Sequence, residues 1–403
     1  MIWIGPTPWL RTLAVLALAV LPAGQRQPAP LTQEAYIWQR QWDDPLRAAV
    51  IDSRGLFSGL RVLALQFDRS SGWVVPRVDL AALAGDARPV VVVLRIDGAA
   101  LLVEARAAGR RLLGTVAAWR AAGVKVVGVE IDHDTATARL ADYAAWLRAL
   151  RPALPGDIRL SITALPTWRK AEALTQVLAA VDTSVLQVHA VQSPTQSLFD
   201  PDIARVWIAD WARVSARRPF LVALPAYGLR LRLDARGGLD GVAGEQPLGA
   251  GKHDREIRVD PRAVAKLLVA LDATPPPTLA GIVWFRLPRR TDRRAWSLAT
   301  LAAVIEHRPL IGELHAEIRA QPGGAVDLGL HNVGSVDVEL PWQIRVPDSC
   351  RIGDGVNGYR YTRQTTGISL ELEQPRPLRA GDRLVIGWLR CDSKETLHVR
   401  WDS

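Results

Sequence analysis

The sequence predicts an α/β fold, a (β/α)8 TIM barrel followed by a small C-terminal β-sandwich. Three observations carry that reading. Between residues 34 and 308, eight short apolar runs alternate with amphipathic helical stretches, the pattern of strand–helix units wound around a parallel sheet. In five of those runs polar residues collect at the C-terminal end, the face where barrels of this kind place their sites. Beyond residue 308 the period shortens to alternation broken by turn residues, which suits antiparallel strands. An open doubly wound sheet is the competing arrangement, but no glycine-rich phosphate loop follows the first strand.

Residues 1–24 read as a secretory signal peptide. Arg11 precedes the apolar run Thr12–Leu21, which Pro22, Ala23 and Gly24 close, and so short a run fits a signal better than a membrane span. An uncleaved signal anchor stays open, and in that case the membrane is met only through this segment. Residues 25–33 form a short polar linker. The expected strands are Tyr36–Trp42, Leu60–Asp68, Pro89–Asp97, Val124–Asp134, Asp157–Ala164, Ser184–Val191, Pro219–Tyr227 and Gly281–Arg286. Helical patterning fills Leu101–Ala122, Thr135–Leu150, Ala171–Val181, Pro201–Ala216, Pro261–Leu271 and Arg294–Ile305. Asp200 and Asp260 each stand before a proline, a capping residue followed by one suited to the first helical position. The connection from Gly228 to Val259 is longer than a barrel needs. Its alternating residues lead into a turn, so it is either a hairpin over the mouth or an unstructured insertion. Residues 309–403 are expected to be an immunoglobulin-like β-sandwich. The two cysteines of the chain, Cys350 and Cys391, both fall there, and in an exported protein they read as one disulfide.

Composition narrows the function. The chain carries a formal net charge of +9, but its cations are 45 Arg and 5 Lys spread along the sequence. No basic stripe with interleaved aromatics is present, which argues against nucleic acid. The seven His are scattered, so neither a metal site nor a cofactor is expected. The 15 Trp are more informative, because tryptophan often lines ligand surfaces.

The chemistry concentrates in the fourth strand. Glu130, Asp132 and Asp134 stand at i, i+2 and i+4 with Val129 and Ile131 between them, so all three carboxylates share one face. Burying like charges together is costly unless partners or a cleft compensate. The same parity recurs in the other strands. Phe67, Ile96, Ile131, Ile162 and Val188 fall on one face; Gln66 and Asp68, Arg95 and Asp97, Ser161 and Thr163, Gln187 and His189 fall on the other. Candidate catalytic residues are therefore Glu130, Asp132 and Asp134. Candidate substrate-binding residues are Trp38, Arg40, Gln66, Asp68, Arg95, Asp97, Gln187, His189, Tyr227, Trp284 and Arg286. An internal hydrogen-bond network in which Arg40, Arg95 and Arg286 neutralise the acids is the alternative.

Two resemblances add to this. The segments Tyr36–Trp42, Thr163–Trp168, Gln187–His189 and Ala223–Gly228 resemble an exported bacterial family described as a domain of unknown function, which implies the barrel and no activity. Gly128–Asp134 resembles the fourth-strand signature of family 18 chitinases. That likeness implies Glu130 at an inner aspartate position, Asp132 as the substrate-assisting aspartate and Asp134 as the proton donor, with Trp284 flooring a sugar subsite. The sequence departs from the signature in a donor one methylene shorter, in Val126 or Val127 for the first aspartate, and in Leu186–His189 for a Met-x-Tyr-Asp pattern.

These readings predict a periplasmic or secreted glycoside-hydrolase-like barrel acting on a poly- or oligosaccharide by acid catalysis. A non-catalytic carbohydrate-binding or envelope-scaffold protein on a degenerate barrel is the alternative, since a barrel does not itself imply catalysis. Asp134 has a second reading of its own, as the cap of a helix beginning near Thr135.

Overall fold

The computed structural model describes residues 31–98, 103–189, 198–215, 218–234, 236, 238–243, 254–347, 349–364, 367–391 and 399–401. The expected signal peptide lies outside them. Among the described residues no helix is long and apolar enough to cross a membrane.

In chain order the first strands are β1 (Thr32–Ile37), β2 (Gly59–Asp68), β3 (Gly72–Val74), β4 (Val90–Ile96), β5 (Val126–His133), β6 (Arg159–Ala164) and β7 (Thr183–Gln187). They continue with β8 (Phe220–Pro225), β9 (Gly228–Leu233), β10 (Leu239–Ala243), β11 (Arg255–Arg258) and β12 (Leu279–Phe285). Eight of these pair in parallel in the order β1-β2-β4-β5-β6-β7-β8-β12, and β12 returns to β1, so the sheet closes and leaves no barrel edge unpaired. Helices follow the strands in turn: α1 (Asp44–Asp52), α2 (Leu80–Asp86), α3 (Ala105–Ala121), α4 (Leu140–Leu150), α5 (Leu174–Ala179), α6 (Pro201–Val214), α7 (Pro261–Ala273) and α8 (Leu298–Ile305).

The helix starts follow from capping. Asp200 accepts from the amides of Asp202 and Ile203 at 2.9 and 3.0 Å, and Asp260 from that of Arg262 at 2.9 Å. One start differs from expectation. After β5 the chain makes a 3-10 turn, Thr137–Arg139, before α4 begins, and no side chain caps either element.

Parity sorts the strand residues. Val129, Ile131, Leu160, Ile162 and Leu224 pack outward against the helices in the larger core. Inside the barrel, Tyr36, Val93, Val185, Leu221, Ala223 and Val283 form a smaller one. A bulge interrupts this parity in β2, where Leu63 pairs with Val93 but Leu65 with Leu94, leaving Ala64 as the extra residue. Bulges re-aim the side chains that follow them.

The long connection after β8 is a three-stranded antiparallel sheet in the order β10-β9-β11. Gly228 starts it where a Cβ would stand 2.5 Å from the Ile257 carbonyl oxygen, so glycine alone lets β9 and β11 approach this closely.

Past the barrel, β13 (Leu314–Ala320), β14 (Ala325–Asn332), β15 (Val338–Glu339), β16 (Gln343–Val346) and β17 (Cys350–Gly355) are followed by β18 (Tyr359–Gln364), β19 (Gly367–Leu372), β20 (Pro377–Leu378), β21 (Arg383–Cys391) and β22 (Arg400–Trp401). They build two four-stranded antiparallel sheets, β13-β14-β21-β17 and β18-β19-β16-β22, around a core that includes Leu328, Leu330, Ile344, Leu370, Ile386 and Leu389. Cys350 and Cys391 are disulfide-bonded across paired positions of β17 and β21. This region is tied to the barrel through Asp337, which accepts from the amides of Ser297 at 2.7 Å and Ala380 at 3.1 Å. Arg379 adds donors to the carbonyls of Arg289 and Asp292.

Candidate functional site

The C-terminal ends of the barrel strands surround a cavity of about 1060 Å³. Trp38, Arg40, Gln66, Arg95, Asp97, Asp132, Gln187, His189, Tyr227 and Arg286 all line it. The strand-end polar residues converge because closure of the sheet turns one parity of every strand toward a common axis.

The mouth has two unlike halves. Its polar half is a continuous belt across neighbouring strands. Arg40 donates to the Gln66 amide oxygen from Nε at 3.1 Å and Nη2 at 2.7 Å, and the Gln66 amide donates to Asp97. Arg95 then forks onto three carboxylates: Nε to Asp97 at 2.9 Å, Nη1 to Asp132 at 2.8 Å and Nη2 to Asp134 at 2.9 Å. Thr163 completes the belt by donating to Asp132 at 2.6 Å. Burial raises the Asp132 carboxyl above its ordinary value; the Arg95 charge opposes that rise and the Asp134 charge adds to it.

The other half is aromatic. Phe285 stands 5.4 Å from Trp38, 5.2 Å from Tyr227 and 5.8 Å from His189, ring centre to ring centre. Burial lowers the His189 imidazole to about 4, against which its contact with the Ala223 carbonyl is a smaller effect. The ring is neutral near pH 7. Burial also pushes the Tyr227 hydroxyl up to about 12.

Beneath this lies a second charged layer. Glu130 is fully buried and does not line the cavity. It accepts from the Tyr36 hydroxyl at 2.7 Å, from Ser161 at 3.2 Å and from Arg61. Arg61 in turn donates to Glu34 at 2.7 Å. Burial, then the charge of Glu130, raises the Tyr36 hydroxyl well above its ordinary value, so it remains a donor.

Four expected site residues lie elsewhere. Glu130 is sealed in the layer below. Asp134 does not line the cavity: its carboxylate is 41% exposed and bound to Arg95, and it caps no helix. Asp68 is spent on a turn, accepting from the amides of Ser70 at 2.8 Å and Ser71 at 3.0 Å. Hydrogen bonds from Ser70 and Ser71 hold its carboxyl below the ordinary value. Trp284 points into the helical layer, where it packs on Trp296 and donates to Gln33 at 2.7 Å. Alternation along β12 makes this unavoidable, because Val283 and Phe285 take the inward positions.

Sequence reasoning missed Tyr36, Arg61, Phe285 and Arg289. Tyr36 and Phe285 were legible as inward-parity aromatics near strand ends. Arg61 was not, because parity counted from Gln66 puts it on the outer face and only the bulge brings both inward.

Residues 86–290 match the family model described as "Domain of unknown function (DUF3142)". The chain belongs to this family. Residues 316–392 match a second one, "Domain of unknown function (DUF8456)". No curated protein matches the chain. Among solved structures it is similar to the Bacillus cereus spore cortex-lytic enzyme SleL, with 11% identity over 64% of this chain and 71% of that one, TM-score 0.46. A chitinase from Chromobacterium violaceum matches with 15% identity over 68% of this chain and 98% of its own, TM-score 0.46. A chitinase from Bacillus thuringiensis matches with 8% identity over 92% and 100%, TM-score 0.46.

Proposed function

We propose that the barrel mouth binds a saccharide and cleaves a glycosidic bond, with Asp132 as the acid. The observation that carries this reading is the two-sided mouth. Sugar rings have apolar C–H faces and a rim of hydroxyls. The Phe285, Trp38 and Tyr227 side offers ring faces for the first, and the belt from Arg40 to Thr163 offers donors and acceptors for the second. Asp132 sits in that belt with its carboxyl raised by burial, the direction an acid needs to hold its proton at higher pH. Asp97 is the second carboxylate lining the cavity, and a glycosidase without substrate assistance needs a partner for its acid.

One observation favours binding without turnover. Arg95 engages Asp97, Asp132 and Asp134 together, and charges so satisfied resist protonation. The two readings separate on Asp132→Asn, assayed for glycan binding and for release of reducing ends from cell-wall and exopolysaccharide fragments. Hydrolysis by Asp132 predicts binding retained and turnover lowered about 10²–10⁴-fold. A wild-type protein that binds the fragments but cleaves none of them would leave only the binding function. If Asp134→Asn abolishes cleavage and Asp132→Asn does not, Asp134 is the acid. Export is part of the proposal: disulfides such as Cys350–Cys391 persist in oxidising compartments, and residues 1–24 carry the signal pattern.

A further inference from the structure

The charges around the mouth are not evenly spread, and their distribution bears on what kind of saccharide it takes. This step rests on the saccharide reading above. The carboxylates that line the cavity, Asp97 and Asp132, come from the β4 and β5 side. The guanidiniums of Arg40, Arg286 and Arg289 come from the ends of β1 and β12, strands that pair with each other. Two of these three cations have carboxylate partners. Arg286 and Arg289 share the buried carboxylate of Asp292, each at 3.1 Å, and Arg289 also reaches Asp43 at 2.8 Å.

Arg40 is different. Among the described residues no carboxylate pairs with it, and its guanidinium bonds only to the neutral amide oxygen of Gln66. Gln66 is itself buried and fixed by its bond to Asp97, so it orients Arg40 without neutralising it. An exposed guanidinium held by one edge in a cavity offers its remaining N–H groups to a planar anion, the geometry that arginine meets best. A neutral sugar needs no such group. A cation left without a counter-charge beside a ring-stacking wall suits a sugar bearing an anionic substituent.

We infer that the mouth takes an acidic saccharide, with the carboxylate or sulfate of one ring seated on Arg40 and the ring itself against the Trp38 and Phe285 side. On the Asp97 and Asp132 side the one guanidinium among the described residues, that of Arg95, is already shared among three carboxylates. It offers the anion no free cation, so the bound sugar has one orientation.

The test is calorimetric titration of the mature chain with paired probes. Oligogalacturonate is set against its carboxyl-reduced neutral oligomer, and sulfated dextran oligomers against plain dextran oligomers. The expected result is that one acidic member binds more tightly than its neutral partner. In Arg40→Gln that acidic-to-neutral ratio should fall about 10- to 100-fold, and in Arg40→Lys by less, because the charge remains. Thermal unfolding of both variants checks that they fold. The pair that shows the preference tells carboxylate from sulfate. Equal binding of acidic and neutral members, unchanged by Arg40→Gln, overturns the acidic specificity while leaving the saccharide site standing. Binding of no member of either pair overturns the acidic reading for both chemistries, and a neutral glycan that binds in the same assay keeps the saccharide site itself.

Discussion

Glu130 and Asp132 stand two residues apart on one face of one strand, about 7 Å along it, yet they belong to different environments. In the lower layer the Arg61–Glu130 pair is closed off, the two side chains 4% and 0% exposed, and only Glu34 at its outer end reaches solvent. The upper layer, Arg95 with its three aspartates, opens on the cavity: Arg95 is 23% exposed and Asp97 28%. Glu130 and Asp132 are both carboxylates on the same strand face. Depth separates a carboxylate matched wholly by protein groups from one that lines the cavity. A buried charge must be matched by the protein, whereas a charge at a cavity can be matched by what enters it.

That contrast breaks most readily in the lower layer. Arg61→Met leaves Glu130 buried without its cation, and the expected loss is about 3–5 kcal/mol in urea unfolding. Adding Glu130→Leu should restore much of it, because removing both charges of a buried pair is far less costly than removing one. A single mutant that unfolds like wild type would show the lower layer to be no more structural than the upper.

The aromatic side of the upper layer sharpens the comparison through pH. The His189 value is depressed from 6.5 to about 4, so the unfolded chain takes up this proton before the folded one does. Stability is therefore full above about pH 6.5 and is lost as pH falls toward 4, by up to about 3 kcal/mol. His189→Gln should flatten that acid limb in unfolding curves measured between those two pH values. An unchanged slope would mean the ring is wetter than its contacts with Phe285 and Tyr227 imply.

The smallest effect belongs to a residue outside the barrel. Arg379 donates to the carbonyls of Arg289 and Asp292, in the loop that brings Arg289 to the mouth. Arg379→Ala should cost about 1–2 kcal/mol of stability and weaken ligand binding severalfold, as read by titration. Loss of stability with binding intact would confine the C-terminal sheets to a structural part.

The barrel, the strand-end location of the cavity, the two proline-led helix starts and the disulfide partners were all legible in the sequence. Each is encoded locally: apolar period, a cap before a proline, or the presence of only two cysteines. Ten of the expected binding and catalytic residues meet in one cavity, because alternation records which face a side chain takes. Three things were not local. The depth of Glu130 against Asp132 depends on how neighbouring strands are staggered around the closed sheet. The inward turn of Arg61 depends on one extra residue in β2, which reverses the parity that the flanking residues imply. The partner of Asp134 is Arg95, on the adjacent strand β4, and no spacing within β5 records it. Periodicity along a chain therefore determined direction here, while depth and partnership were decided only when the eight strands closed on one another.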